Sequence, residues 1–293
     1  KHKYKNVLSK YTTGVPMFSS ILKNTPLRLF DVTLRDGLQS IPKIYSLKEK
    51  VDLGIDIIVN KNPCAIEIGS IVSPKIVPQM KDSIELFKEI ITTCGTHKHL
   101  DVYMLTPTYK SVEIASANNV CNFSFVTSIS KAFQQKNINK DLTETKMELV
   151  KMIHHVEEVR DSKIKLYISC ITECPIIGKY DIYTVMNEIM YYYYTHGEQL
   201  DEICLSDTCG TLKFNEFRFL IDELQRCNVD IDKFSLHLHQ QKDSLVVQNI
   251  LIHAMKNGIS RFDVSYMPEI GGCSVTMENP SGNISYEDIY RLV

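Results

Sequence analysis

Two histidines stand two residues apart in "FSLHLHQ", Phe234–Gln240, a segment that otherwise alternates like a β-strand. Side chains at i and i+2 of a strand leave on the same side, about 6–7 Å apart, so the imidazoles of His237 and His239 could reach one metal ion. A buried, hydrogen-bonded histidine beside one at a strand end is the commoner origin of an isolated His-x-His pattern, so the pair needs company to carry meaning. Other reactive side chains supply it. In "DVTLRDGLQS" a guanidinium and a carboxylate, Arg35 and Asp36, follow a β-rich run directly. Aspartate is a hard oxygen ligand that completes a mixed nitrogen and oxygen site, and arginine can hold negative charge developing on an enolate oxygen. Glu67 lies inside the apolar run "AIEIGS", where an inward carboxylate needs a partner, and Arg35 is the obvious one. Asp207 closes "LSDTCG". In "EIGGCSVTMENPSGN", Cys273 follows two glycines that allow a tight backbone turn, and its thiol is placed to act as general acid or base. Asn283 offers an amide oxygen as a further ligand.

These groups would have to be positioned by the elements around them. Eight β-rich segments recur: Leu27–Leu34, Cys64–Ile71, Leu100–Thr106, Asn122–Ser128, Lys163–Ile171, Glu202–Thr208, Phe234–Gln240 and Arg261–Met267. Between them lie stretches of helical spacing at Leu47–Val59, Ser83–Thr92, Thr143–Asp161, Ile182–Thr195, Asn215–Cys227 and Ser244–Lys256. Strands alternating with helices predict βα units, and eight of them in 293 residues predict an α/β protein closed as a (β/α)8 TIM barrel. Chemistry in such barrels sits at the C-terminal ends of the strands. Arg35, Asp36, Glu67, Asp207, His237, His239, Cys273 and Asn283 all fall at or near such ends. Helix capping, rim salt bridges or an inert thiol explain each singly but not their convergence.

Composition narrows the class. A hydrophobic content of 44% and a charged content of 23% are those of a globular protein, and a net charge of −2 argues against a nucleic-acid partner. No apolar run approaches the roughly 20 residues of a membrane span. Nine scattered cysteines without a Cys-x-x-Cys pair favour free thiols in a reducing compartment over a secreted disulfide framework. No linker-like stretch divides the chain, so one catalytic domain is expected over 25–293, preceded by an N-terminal extension, 1–24.

Together, "RDGLQ" at Arg35–Gln39, "HLH" at His237–His239 and the Gly-Gly-Cys loop resemble the DRE-TIM metallolyases, and within them the 3-hydroxy-3-methylglutaryl-CoA lyase branch. Supporting segments are "SIVSPKIVPQM", "KNIN", "SCITECPIIGK" and "SGNISYED". The resemblance implies Mg²⁺ or Mn²⁺ held by Asp36, His237, His239 and Asn283. It also implies an acyl-CoA substrate contacted by Arg35, Gln39 and Tyr167, and retro-aldol cleavage to acetyl-CoA and acetoacetate. Arg35 would neutralise the departing enolate, Cys273 would exchange a proton with it, and Glu67 and Asp207 would orient Arg35 and the ligands. The resemblance is also compatible with a homodimer.

The sequence departs from the lyase pattern at several places. Thr33 and Leu34 precede Arg35 where the branch carries Gly-Pro, and Gln240 and Gln241 follow the second histidine, so an altered polar shell is expected around the metal. Ser274, Val275 and Thr276 replace Pro-Tyr-Ala, and Glu269 adds a charge near the expected mouth. Two alternatives therefore stay open: a related acyl-CoA lyase or condensing synthase, and a barrel that binds metal or acyl-CoA with little turnover.

Overall fold

The computed structural model describes residues 26–94, 99–267, 269–273, 276–278 and 280–293; the proposed extension 1–24, with Ser274 and Val275 of the cysteine loop, lies outside them. The eight expected strands form: β1 (Arg28–Asp31), β2 (Ala65–Ser70), β3 (Asp101–Leu105), β4 (Asn122–Ser128), β5 (Lys163–Ser169), β6 (Glu202–Ser206), β7 (Phe234–His237) and β8 (Arg261–Val264). All pair in parallel, and β1 meets both β2 and β8, so the sheet closes into a barrel. Nine helices are described: α1 (Leu47–Lys61), α2 (Ser83–Cys94), α3 (Tyr109–Ala117), α4 (Lys131–Ile138), α5 (Leu142–Glu157), α6 (Ile182–His196), α7 (Phe214–Arg226), α8 (Ser244–Lys256) and α9 (Tyr286–Tyr290). This is the (β/α)8 architecture. Among the described residues no helix is long and apolar enough to cross a membrane.

Helix starts are written locally. Ser46 with Glu49, and Asp141 with Glu144, form reciprocal capping boxes at α1 and α5. The short helices α3, α4 and α9 have too few turns for a strong apolar period and were not expected from sequence. Their caps are nonetheless present: Thr108 with Ser111, Ser130, and Ser285 with Asp288.

Strand alternation sorts side chains into two layers. Ile66, Ile68, Val102, Met104, Phe123, Phe125, Ile164, Leu166, Ile203, Leu205, Phe234, Leu236 and Phe262 belong to the main apolar core against the helices. The intervening positions face the barrel axis and form a different set: Phe30, Glu67, Tyr103, Lys165, Tyr167, Glu202, Cys204, His237 and Asp263. The interior of this barrel is thus substantially charged, and stability from burial resides mainly in the outer layer.

Three strands, β1, β7 and β8, stop three residues before the ends that their sequence pattern suggests. After β1, Thr33–Gly37 coil into a π-helical turn closed by the Gly37 N–H on the Val32 carbonyl at 3.1 Å. Asp31 anchors this turn: its carboxylate accepts from the Thr33 N–H at 2.9 Å and from the Tyr286 hydroxyl at 3.0 Å. Burial pushes its carboxyl up to about 7, against those hydrogen bonds. The folded carboxyl therefore keeps a proton that an unfolded chain, with the ordinary value of 3.8, releases. Its contribution is full below that value and is lost as pH rises towards 7. Relative to Asp31→Asn, the native protein should lose up to about 1.4 kcal/mol per pH unit across that window. Urea midpoints at pH 5, 6 and 7 check this, and a pH-independent difference between the two would refute it.

Candidate active site

Leu34 and Leu38, both buried, pin the π-helical turn to the core, and the residues between them project into the barrel mouth. There the Asp36 carboxylate is the meeting point of three chain segments. Oδ1 accepts from Arg35 Nη1 at 2.6 Å and from Gln39 Nε2 at 2.9 Å. Oδ2 accepts from the Gly272 N–H at 2.7 Å and from Asn283 Nδ2 at 3.0 Å, and it lies 3.8 Å from His237 Nε2 and 4.0 Å from His239 Nε2. Burial, the largest single effect, would raise this carboxyl, but the Arg35 guanidinium and its other neighbours together outweigh it and hold it well below the usual carboxylate range.

The two histidines are brought together although β7 ends at His237. His239 lies beyond the strand, in an isolated bridge to Asn283, and the imidazoles meet edge to face with centroids 4.9 Å apart. Each ring is anchored through Nδ1, on the Asp263 carboxylate at 3.0 Å for His237 and on the Asp207 backbone carbonyl at 2.8 Å for His239. That leaves the Nε2 atoms directed at Asp36. Burial, followed by the neighbouring His237, pushes the His239 imidazole down to about 4, so it is neutral and a competent ligand at physiological pH. His239 Nε2 and Asn283 Oδ1 are buried without a hydrogen-bond partner. Two buried orphan acceptors beside an ionised carboxylate fit a hard divalent cation, and Asp36, His237 and His239 offer ligand atoms within 4.8 Å of one another.

Arg35 is held from three sides. Its Nε pairs with the Glu67 carboxylate, the partner expected from sequence, and the guanidinium lies over the Tyr167 ring at 5.3 Å. Tyr167 also packs edge-on against His237 with centroids 5.8 Å apart, and its hydroxyl is 3.5 Å from Glu67. Arg35, Asp36, Gln39, Tyr167, His237, His239 and Cys273 line one cavity of about 540 Å³. The same cavity is also lined by Lys110, Lys136, Ile71, Val72, Leu105 and Phe133. Glu67, Asp207 and Asn283 stand behind this surface.

Asp207 differs from its expected place. Its carboxylate turns back into its own loop, accepting from the Thr211 and Leu212 N–H groups at 3.1 and 2.9 Å, and burial pushes it up to about 6. Only its carbonyl touches the ligand set. Gln240 donates to Asp288 at 2.7 Å and reaches the Asn283 carbonyl at 3.5 Å, and Gln241 donates to the Leu212 carbonyl at 3.0 Å and reaches Asp207 Oδ2 at 3.5 Å, so both brace the loops behind the ligand cluster and neither bonds a histidine ring. Glu269 is exposed. Sequence reasoning missed Asp263, Lys165 and Asn137, whose amide oxygen accepts from the Cys273 thiol at 3.5 Å. The first two carried a usable signal, since each is a charged residue at an inward strand position, as Glu67 is.

The glycine pair makes the approach to Asp36 possible. Gly271 sits at φ +137°, and a Cβ there would lie 2.3 Å from the Asn283 side chain; Gly272 sits at φ +88°. Gly271→Ala should therefore displace Asn283 and weaken Mn²⁺ binding by about tenfold or more, measured by titration calorimetry. Native affinity in that variant would separate the glycine turn from the ligand geometry.

Comparison with known proteins agrees with this arrangement. The profile of the family described as HMGL-like matches residues 26–291. The 3-hydroxy-3-isohexenylglutaryl-CoA/hydroxy-methylglutaryl-CoA lyase of Pseudomonas aeruginosa is 29% identical over 274 residues, spanning 91% of this chain and 84% of that protein. Human mitochondrial hydroxymethylglutaryl-CoA lyase is 29% identical over 267 residues, spanning 91% and 78%. Among solved structures, hydroxymethylglutaryl-CoA lyase from Pseudomonas aeruginosa superposes with a TM-score of 0.78 at 29% identity, covering 92% of this chain and 85% of that one. An HMG-CoA lyase from Acinetobacter baumannii, in complex with coenzyme A and 3-methylmalate, gives 0.79 at 25% identity, covering 91% and 82%. With a profile match over nearly the whole chain, and with barrel and ligand cluster alike in place, this protein belongs to the HMGL-like family.

Proposed function

We propose that this chain is a divalent-metal-dependent carbon–carbon lyase that cleaves 3-hydroxy-3-methylglutaryl-CoA to acetyl-CoA and acetoacetate. The observation that carries this reading is the juxtaposition of a Glu67-anchored Arg35 with the Asp36, His237 and His239 cluster in a single cavity. Mg²⁺ or Mn²⁺ held by Asp36, His237, His239 and Asn283 would act as a Lewis acid on the tertiary hydroxyl of the substrate. When that hydroxyl gives its proton to a base, its oxygen becomes the ketone oxygen of acetoacetate. The C2–C3 bond breaks, and its electron pair passes to C2 and the thioester oxygen as an enolate. Arg35 supplies positive charge to that oxygen, and because Glu67 and Tyr167 already hold the guanidinium, little reorganisation is needed as charge develops. The Cys273 thiol, oriented by Asn137, donates the proton that converts C2 to the methyl group of acetyl-CoA. The thiolate then recovers the proton that the base took from the hydroxyl, directly or through solvent, so the reaction is balanced without an external oxidant or reductant.

Lys110 and Lys136 on the cavity wall suit the phosphates of an acyl-CoA, and the apolar side chains that line the same cavity suit its pantetheine arm. Asp207 acts in this scheme by presenting its carbonyl to His239. A homodimer in the mitochondrial matrix or the cytoplasm completes the proposal; sedimentation of the purified protein tests the assembly.

With Mg²⁺ or Mn²⁺ the purified protein should release acetoacetate from 3-hydroxy-3-methylglutaryl-CoA, and release should stop with chelator and in His237→Ala. Metal binding without release would shift the reading to a binding barrel. Arg35→Met should lower kcat by about 10²–10³, the loss of one preorganised oxyanion donor, and normal turnover would remove the enolate role from Arg35. Cys273→Ser should lower turnover strongly while leaving Mn²⁺ affinity within a few-fold; an unchanged rate would take the thiol out of the mechanism.

A further inference from the structure

A second group of close metal-type donors lies deeper in the barrel. Glu202, Cys204 and Asp263, all buried, place ligand atoms within 4.8 Å of one another. An ammonium already serves them. Lys165, fully buried on β5, pairs with Glu202 at 2.8 Å and with Asp263 Oδ1, and its Nζ lies over the Phe30 ring at 3.6 Å. Ser235 donates to the same Glu202 oxygen, Oε1, at 2.6 Å, which helps to hold that carboxylate against the ammonium. With Oδ1 held by Lys165, Asp263 presents Oδ2 to His237 Nδ1 at 3.0 Å.

We propose that Lys165, through Asp263, is a positioning residue for His237. The cation locks the Asp263 carboxylate, the carboxylate locks the ring and its Nδ1–H tautomer, and the bare Nε2 is thereby aimed at Asp36. The chain runs from β5 through β8 to β7, so it ties three strands to the orientation of one ligand. Carboxylate contacts to a ligating histidine typically govern metal affinity by 10–100-fold. The inference rests on the reading of His237 as a metal ligand, and it adds a residue that touches neither metal nor substrate.

The test reads metal binding and tautomer, not turnover alone. Free Mn²⁺ is measured by electron paramagnetic resonance in titrations of native protein, Lys165→Met, Lys165→Arg and Asp263→Asn. Lys165→Met and Asp263→Asn should each weaken Mn²⁺ about 10–100-fold, the double variant should be little worse than either alone, and Lys165→Arg, which keeps a cation, should recover most of the affinity. Long-range ¹H–¹⁵N spectra of metal-free native protein should show His237 protonated at Nδ1 and bare at Nε2. Native affinity in folded Lys165→Met, equal loss in the arginine and methionine variants, or the opposite tautomer in native protein would overturn the proposal. Should Lys165→Met fail to fold, Asp263→Asn and the native tautomer decide it. A native protein that binds no Mn²⁺ would overturn the metal reading itself, whereas native binding with an insensitive His237 overturns only the role of Lys165.

Discussion

The site depends on one buried carboxylate. Asp36 is almost wholly shielded from water, yet it stays ionised because a guanidinium, two amide groups and a backbone N–H converge on it. An isolated carboxylate at that depth would be protonated or would destabilise the fold. Here the compensation comes from the turn after β1, the loop after β8 and the segment carrying Asn283. Those segments are held where they are partly by the charge they solvate. The two Nε2 atoms then face a preformed anion, which is what a hard cation requires and what an empty apolar barrel could not provide.

The same constraint extends down the barrel. Inward positions on β2, β5, β6 and β8 carry Glu67, Lys165, Glu202 and Asp263, and each is matched by an opposite charge inside the barrel. Breaking such a pair by removing one member is far worse than never having built it. The interior therefore specifies geometry more than it stabilises, and the apolar contacts of the outer layer with the helices supply the driving force for folding. Such an arrangement suits a catalyst: positions near the axis can be tuned for ligand orientation while the outer core keeps the barrel closed.

Much of this was legible in the residues. All eight strands lie within their expected segments, because runs such as "AIEIGS" and "LYISC" carry dense apolar and β-branched residues that few other elements tolerate. The longer helices were legible from their period. The short helices α3, α4 and α9 were not, since fewer than three turns hold too few apolar positions to show a period. Strand ends were overextended at Thr33 and His239, where the side-chain pattern continues but the backbone leaves the sheet. Of the site residues, Arg35 with Glu67 and Asp36 with the histidines could be paired in advance, because buried charge demands a counter-charge. The direction of Asp207 could not, since its use of a carbonyl towards His239 and a carboxylate towards Leu212 is settled by a loop conformation that composition does not encode.

By itself, then, the sequence determined the class of fold, the end of the barrel where chemistry gathers and the identity of the groups that gather there. These follow from local periodicity and from the valence of each side chain. Only the tertiary structure decided which nitrogen of each histidine faces Asp36, that Lys165 fills the place among Glu202, Cys204 and Asp263, and that Asn137 meets the Cys273 thiol. Each of these is a contact between residues dozens of positions apart, set by strand register and loop closure to within about an ångström, a precision that side-chain type alone does not carry.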